Sequence, residues 1–515
     1  MTRKQKLTIP TGNTLICLPL NFDCPVKPEI LECKSVEDVF FHIRPSCVIN
    51  FSSNSKNTVE EKLCFNSLTD FSVMGICTKS VVLSDLIDET ILYFDNANVI
   101  TPVEFNEKVS FIFSYAEITE ESELVSCLKL LKNNLVNAIK IISPIEKSYL
   151  ELNLFFKNQA AEGKTFVLDA WDEQLSDLDN TRFIDHIDQF LNQHFDRLDI
   201  RNAISCLVIP GFLDNYFVLR KFVGICSRHA VVLFTDLRTF DIGVAEIYSF
   251  NFTTRNANSK QFDFSDLTFF ENVCFTGDHL FINPPYSFLN FVTAKVSFST
   301  VVAALTPSFL LHDPEVTINL GNIPDGVRII KNNGRYKAFF NSFAVEKKGD
   351  GYFIAGNRTL YQGSLYSLKS IKLVFLFYWL LKRFAQMVSL TVIDEIEINP
   401  PGTLLSLQKN FKEKIATGFY ELCKTAEPII DSNIEWLTVA PDWLPVNHRN
   451  HEISYLWPYS FTLIMKLKER VTDDSLLMMH IRLFGDGYHN AISNDFDIIY
   501  EEVNEEELIN FTNKM

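Results

Sequence analysis

Residues 204–209 read Ile-Ser-Cys-Leu-Val-Ile, and residues 230–234 read Ala-Val-Val-Leu-Phe. Each is a short, almost continuous apolar run, the pattern of a strand covered on both faces. Pro210-Gly211 closes the first run and Thr235-Asp236 the second. Between them, Phe212 to Cys226 has helical spacing. Strand, helix, strand at this separation predicts a βαβ unit and a parallel sheet. Upstream, Thr165 to Leu168 predicts a further strand, followed by an acidic turn from Asp169 to Asp179 and a helix over Arg182 to Phe195. The expected fold class is α/β with α+β parts, a mixed sheet with a βαβ core and strand-rich termini.

Before this core, Glu120 to Ile142 has a long helical pattern. Ser143-Pro144 is expected to break it, with Ser143 as N-cap and Pro144 as first residue of a new helix. That helix reads IEKSYLELNLFF over Ile145 to Phe156. Tyr149, Leu152 and Phe156 recur at i, i+3 and i+7, with Ile145 a turn earlier, so one face belongs in a core. Residues 1–115 are expected to be mainly β, with strands at Leu15 to Leu20, Ser46 to Phe51, Glu61 to Phe65 and Val109 to Phe113. Val36 to Ile43 is expected to be a helix capped by Ser35. In the C-terminal half, Tyr336 to Val345 and Tyr352 to Ala355 flank Lys347-Lys348-Gly349-Asp350-Gly351, a hairpin signal. Ser367 to Val388 and Leu404 to Lys424 predict helices separated by Pro400-Pro401-Gly402. Ser475 to Phe484 and Asp495 to Val503 predict strands around a Gly485-Asp486-Gly487 turn. The division expected is 1–115, 116–300 and 301–515, since 515 residues exceed one ordinary core.

A net charge of −17 and a pI near 5.1 argue against a nucleic-acid partner, which needs a basic face. The 46 phenylalanines supply material for cores and apolar subunit contacts. Eleven cysteines without a C-x-x-C motif form neither a disulfide framework nor an ordinary zinc site, and imply reduced thiols in a cytoplasm. Pro10, Gly12 and Asn13 interrupt any signal-peptide core. The longest apolar run, Leu373 to Leu381, falls well short of the roughly 20 residues that span a bilayer, so no membrane insertion is expected.

Gly163-Lys164-Thr165 resembles the end of a phosphate loop, but Asn158 stands where the first glycine belongs, and the order is helix, loop, strand. Asp185, His186, Asp188, His194 and Asp196 form an acid–histidine cluster. With Ile184, Ile187, Phe190 and Leu191 on the buried face, its acids read as a solvated face. His448, His451 and Glu452 match no zinc-protease spacing. Cys226 and His229 could form a nucleophile pair, but Cys226 lies on an apolar helix face with Phe222. No catalytic residue, cofactor site or metal site is assigned, and the chain is not expected to be an enzyme.

Three segments carry a resemblance. Glu146-x-Ser148-Tyr149-x-x-Leu152 followed by Phe155-Phe156 resembles a signature helix of the large sheath subunit of type VI secretion systems, which commonly reads Leu-Glu-x-x-Trp-Arg-Gly-Leu and an apolar pair. Here Tyr149 stands for Trp and Leu150-Glu151 for Arg-Gly. The continuation Phe155-Phe156-Lys157-Asn158 looks closer to the divergent systems of Bacteroidetes. Residues 35–71 resemble the small sheath subunit, with a helix, Arg44-Pro45, two strands and the turn Leu68-Thr69-Asp70-Phe71. The hairpin and helix at 336–388 resemble a later part of the large subunit. The resemblance implies a contractile sheath subunit, built by strand exchange into a helical tube around an inner tube and contracting to deliver effectors. The implied partners are other sheath subunits in a homo- or hetero-oligomer, the inner tube protein and baseplate proteins. A recycling AAA+ ATPase is a further partner, although residues 1–20 look extended where its recognition helix would lie. The alternatives are a baseplate or adaptor protein of the same apparatus and a soluble metal-dependent hydrolase.

Overall fold

The computed structural model describes residues 13–23, 29–53, 57–114, 123–159, 163–170, 181–193, 204–210, 216–235, 273–275, 279–282, 294–305, 317–318, 327–330, 344–349, 351–355, 359, 375, 380, 434–440, 460–468, 475–485 and 492–504. Its central sheet is built from β1 (Asn13–Leu18), β2 (Ile30–Cys33), β5 (Thr165–Asp169), β6 (Ile204–Val208), β7 (Val232–Thr235) and β8 (Val273–Phe275). The spatial order is β2-β5-β1-β6-β7-β8. β1 runs parallel to both β5 and β6, and the parallel set continues through β7 and β8. Only β2 is antiparallel, on the edge against β5. Chain order thus reverses at β1, which is the doubly wound arrangement. The predicted βαβ unit is present: β6, then α7 (Tyr216–His229), then β7 beside β6.

Strand period sorts the side chains into two layers. Leu15, Cys17, Phe166, Leu168, Leu207 and Leu233 pack on one face against α7 and α6 (Thr181–Gln193). Ile16, Leu18, Val167, Val208, Val232 and Phe234 pack on the other face, against α5 (Glu123–Asn158) and α8 (Phe298–Leu305). The split follows from alternation along a pleated strand, and covering both faces explains why these strands carry so little polar sequence. The register slips where Asn13 pairs with Ile204 and Thr14 with Cys206. Ser205 occupies the extra position, and its hydroxyl donates to the Asn13 carbonyl at 3.1 Å.

The N-terminal region departs from expectation. Its strands include β3 (Ser46–Ser52) and β4 (Thr58–Cys64), an antiparallel pair. Besides these and the sheet strands β1 and β2, its described residues form four α-helices: α1 (Val36–Ile43), α2 (Val73–Lys79), α3 (Val81–Asn96) and α4 (Phe105–Ser114). Val109 to Phe113, expected as a strand, lies inside α4. Val109, Ile112 and Phe113 are buried at helical spacing, and the short apolar run had hidden that period. α1 fits its predicted bounds. Ser35 accepts from the Asp38 amide, while Asp38 accepts from the Lys34 amide, so two end donors are satisfied together. Leu68–Phe71 forms a single 3-10 turn.

The second departure is at Ser143-Pro144. No break occurs, and α5 runs unbroken through Pro144. Proline removes one helical N–H bond, but Pro144 faces solvent and the Ser148 hydroxyl donates back to its carbonyl at 3.3 Å. The apolar face on both sides stays in one core, with Leu135, Ala138 and Ile142 before the proline and Ile145, Tyr149 and Leu152 after it. Continuous burial outweighs one lost bond.

Farther on, β9 (His279–Ile282) pairs with β10 (Ala294–Ser297) and β12 (Val327–Ile330). β11 (Thr317–Ile318) joins β13 (Ala344–Lys348) and β14 (Gly351–Ala355); the expected hairpin forms with a tighter turn, since Lys347, Lys348 and Gly351, expected in the turn, belong to the strands, and residues 336–343 of the expected first strand lie outside the described residues. Gly349 turns it with φ +60, a conformation that other residues adopt at a cost. β15 (Ile434–Ala440), β16 (Ser460–Leu467), β17 (Ser475–Gly485) and β18 (Ile492–Asn504) form an antiparallel meander. The expected terminal strands are therefore present and paired. Of the helix expected over 367–388, only Phe375 and Leu380 are described, and both are buried in the core that contains α5. The helix expected over 404–424 lies outside the described residues.

Candidate functional site

The residues that stood out in the sequence converge on α5. Ile145, Tyr149, Leu152, Leu154 and Phe155 are buried. Tyr149 is 0% exposed and lies at the centre of an aromatic group. It stacks on Phe40 of α1 at 4.1 Å and meets Phe71 at 5.5 Å, and Phe71 stacks on Phe65 at 4.6 Å. The segment resembling a small subunit thus packs on the helix resembling a large subunit. Offset aromatic pairs of this kind contribute about 0.5–1.5 kcal/mol each beyond burial.

Polar groups in this region were not evident beforehand. The Tyr149 hydroxyl is buried without a hydrogen-bond partner. Burial, with Asp169 and Cys33 nearby, pushes it well above the ordinary range. Asp169 ends β5 and accepts from the Leu20 amide at 2.7 Å, which ties the chain leaving β1 to the end of the adjacent strand. Burial raises its carboxyl to about 6, although bonds from the Leu20 and Asn21 amides oppose the rise. Burial likewise raises Glu146 to about 8. Glu151 is 0% exposed, 3.7 Å from Lys147 and within 3.4 Å of the Thr300 hydroxyl on α8. Glu61 on β4 accepts from the Ser80 hydroxyl at 2.5 Å and the Val82 amide at 2.9 Å, so a strand residue supports the α3 N-terminus. Only tertiary contact distinguishes these acids from surface ones.

The candidate catalytic motifs are dispersed. Gly163 and Lys164 lie between the end of α5 and β5, the order expected, and Lys164 pairs with Glu32 on β2 at 3.0 Å. On α6, Asp185 is exposed while Ile184, Ile187 and Leu191 are buried, as read. Asp188 differs from the solvated reading: its carboxylate meets His229 Nε2 at 2.8 Å, joining α6 to the end of α7. His194, Asp196, His448, His451 and Glu452 lie outside the described residues. Cys226 is fully buried, and burial pushes its thiol well above the ordinary range, away from thiolate chemistry. Among the described residues, no three His, Cys, Asp or Glu side chains group to hold a metal ion. Also among them, no helix is long and apolar enough to cross a membrane.

The arrangement is one of packing: a long helix fixed between an aromatic group and a parallel sheet. Residues 137–276 match the family model described as type VI secretion system TssC/VipB, central domain. The match begins inside α5 and takes in β5, α6, β6, α7, β7 and β8. A search of the curated proteins finds no match. The family is structural rather than catalytic. The part of α5 that carries Tyr149 and the parallel βαβ core both lie in the matched region, and residues 137–276 are similar to the central domain of the type VI secretion sheath family TssC/VipB.

Proposed function

We propose that this chain is a structural subunit of a contractile sheath, assembling with other sheath subunits into a helical tube around an inner tube and contracting to drive effector delivery. The match over residues 137–276 carries the reading. Two features support it physically. The antiparallel meander ends in β15 and β18, each with one edge that no described strand pairs with, and edges of this kind accept strands from other chains. β18 carries Asp495, Asp497, Glu501 and Glu502, charges that discourage indiscriminate edge pairing. A heterologous contact that does not close on itself generates a tube. The subunit would work in the cytoplasm, with energy stored at assembly and released by a switch between two packings. The same reading includes inner tube and baseplate partners, a recycling AAA+ ATPase and the three-part division at 115 and 300.

Co-expression with the genomic neighbours, followed by negative-stain electron microscopy, tests the proposal. Hollow tubes with cogwheel cross-sections are the expected result. A monodisperse monomer under those conditions would overturn it.

A further inference from the structure

The β3–β4 ribbon has one closed edge and one open edge. Phe65 N donates to Pro45 O and Ser53 N to Asn57 O, in line with the register that pairs Ile49 with Glu61. Odd-numbered residues of the two strands therefore bond to each other, and even-numbered residues turn their N–H and C=O groups outward. On β3 the outward edge is closed by α5. Asn134 accepts from the Ser52 amide and donates to the Ser52 carbonyl, each at 2.8 Å, as a neighbouring strand would. Asn137 donates to the Asn50 carbonyl at 3.3 Å.

No described strand pairs with the outward edge of β4. Thr58, Glu60, Lys62 and Cys64 aim their backbone groups away from β3, and all four residues are exposed. A single-sign charge there would repel any second copy. The edge instead carries one acid, Glu60, beside one base, Lys62. Antiparallel pairing centred on Glu61 places Glu60 opposite Lys62 of the second copy, Lys62 opposite Glu60 of the second copy, and Thr58 opposite Cys64 at both ends. All four are outward-facing residues, so the register permits up to about eight backbone hydrogen bonds. The two Glu61 residues meet at the centre, on the other face. Each of their carboxylates is already held by its own Ser80 hydroxyl and Val82 amide.

We propose that β4 pairs with β4 of a second copy of this chain, forming a closed twofold dimer with a continuous sheet β3-β4-β4-β3. The charge pattern selects the occupant, because it complements itself in one antiparallel register. The contact is isologous and cannot propagate into a tube, so it belongs to the unassembled chain. It does not depend on the sheath reading. Seven-residue strands meeting edge to edge give a small interface, which implies a weak, concentration-dependent dimer.

Sedimentation velocity on the full chain alone, over a concentration series, tests this. Glu60→Lys or Lys62→Glu puts like charges opposite each other twice per dimer and is expected to weaken the dimer about tenfold or more. The double exchange Glu60→Lys with Lys62→Glu is expected to restore it. Both positions are exposed, and unchanged thermal melting verifies the fold of each variant. A wild-type chain that stays monomeric throughout, single variants that dimerise as well as wild type, or a double exchange that stays as weak as the singles would each overturn the proposal.

Discussion

Tyr149 on α5 lies against Phe40 on α1, with ring centroids 4.1 Å apart and ring planes 22° from parallel. More than a hundred residues of chain separate them, and their contact fixes α1 and the adjoining ribbon to the helix that covers the parallel sheet. The tyrosine contributes through its ring, since its buried hydroxyl has no partner.

Replacing Tyr149 with Phe keeps the stack and removes the unsatisfied hydroxyl. Stability is expected to rise by about 1 kcal/mol. Tyr149→Ala empties the centre of the aromatic group and is expected to cost about 3–5 kcal/mol. Urea unfolding midpoints of the two variants, moving in opposite directions, are the check.

Glu61→Ala should destabilise the chain by about 1–2 kcal/mol despite a site that is not deeply buried. It removes the acceptor for both the Ser80 hydroxyl and the Val82 amide. Hydrogen exchange offers a localised readout, with faster exchange expected in the first turn of α3 while β6 and β7 stay protected.

Stability should fall as pH rises from about 4.5 to about 8. Glu146 is raised to about 8 from an ordinary carboxyl value of 4.5, so across that interval the folded chain holds a proton that the unfolded chain has released. The stabilising contribution is complete below the unfolded value and is lost as pH climbs through the folded one. Asp169 acts with the same sign between 3.8 and about 6. Glu146→Gln should flatten the upper part of the profile, giving a variant closer to wild type near pH 4 and more stable than wild type near pH 8. Denaturation curves across that range measure it.

Thr14 and Thr165 are register partners on β1 and β5, and the hydroxyls of both are buried without partners. Valine has the same shape and no hydroxyl to leave unpaired. Thr14→Val and Thr165→Val are expected to be neutral or stabilising by up to about 2 kcal/mol each. Thermal melting of the single and double variants checks this, and a large loss in either would reveal a bond to these hydroxyls.

The α/β core was legible because strands covered on both faces are predominantly apolar, and Ile204 to Val208, with Ser205 its one polar residue, and Val232 to Phe234 show that directly. α1 was legible because Ser35 and Asp38 cap it through local bonds. α4 was misread, since Val109 to Phe113 is apolar enough for either period and only its neighbours select the helix. The proline at 144 also misled, because local sequence reports the lost bond while the compensating burial on both sides belongs to the assembled core. In the candidate site, Tyr149 was visible by its place in a helical stripe. Asp169, Glu61 and Asp188 were invisible as structural groups, because an acid in sequence carries no mark of the amide or imidazole it will meet.

The sequence by itself therefore determined the layers: which segments are covered on two faces, which on one, and where local caps begin a helix. Tertiary structure alone decided the order of strands around β1, the passage of α5 through Pro144 and the partners of the buried acids. The physical reason is range. Apolar periodicity and capping are set within a few residues, whereas strand order and desolvation of a charge depend on groups brought together from distant parts of the chain.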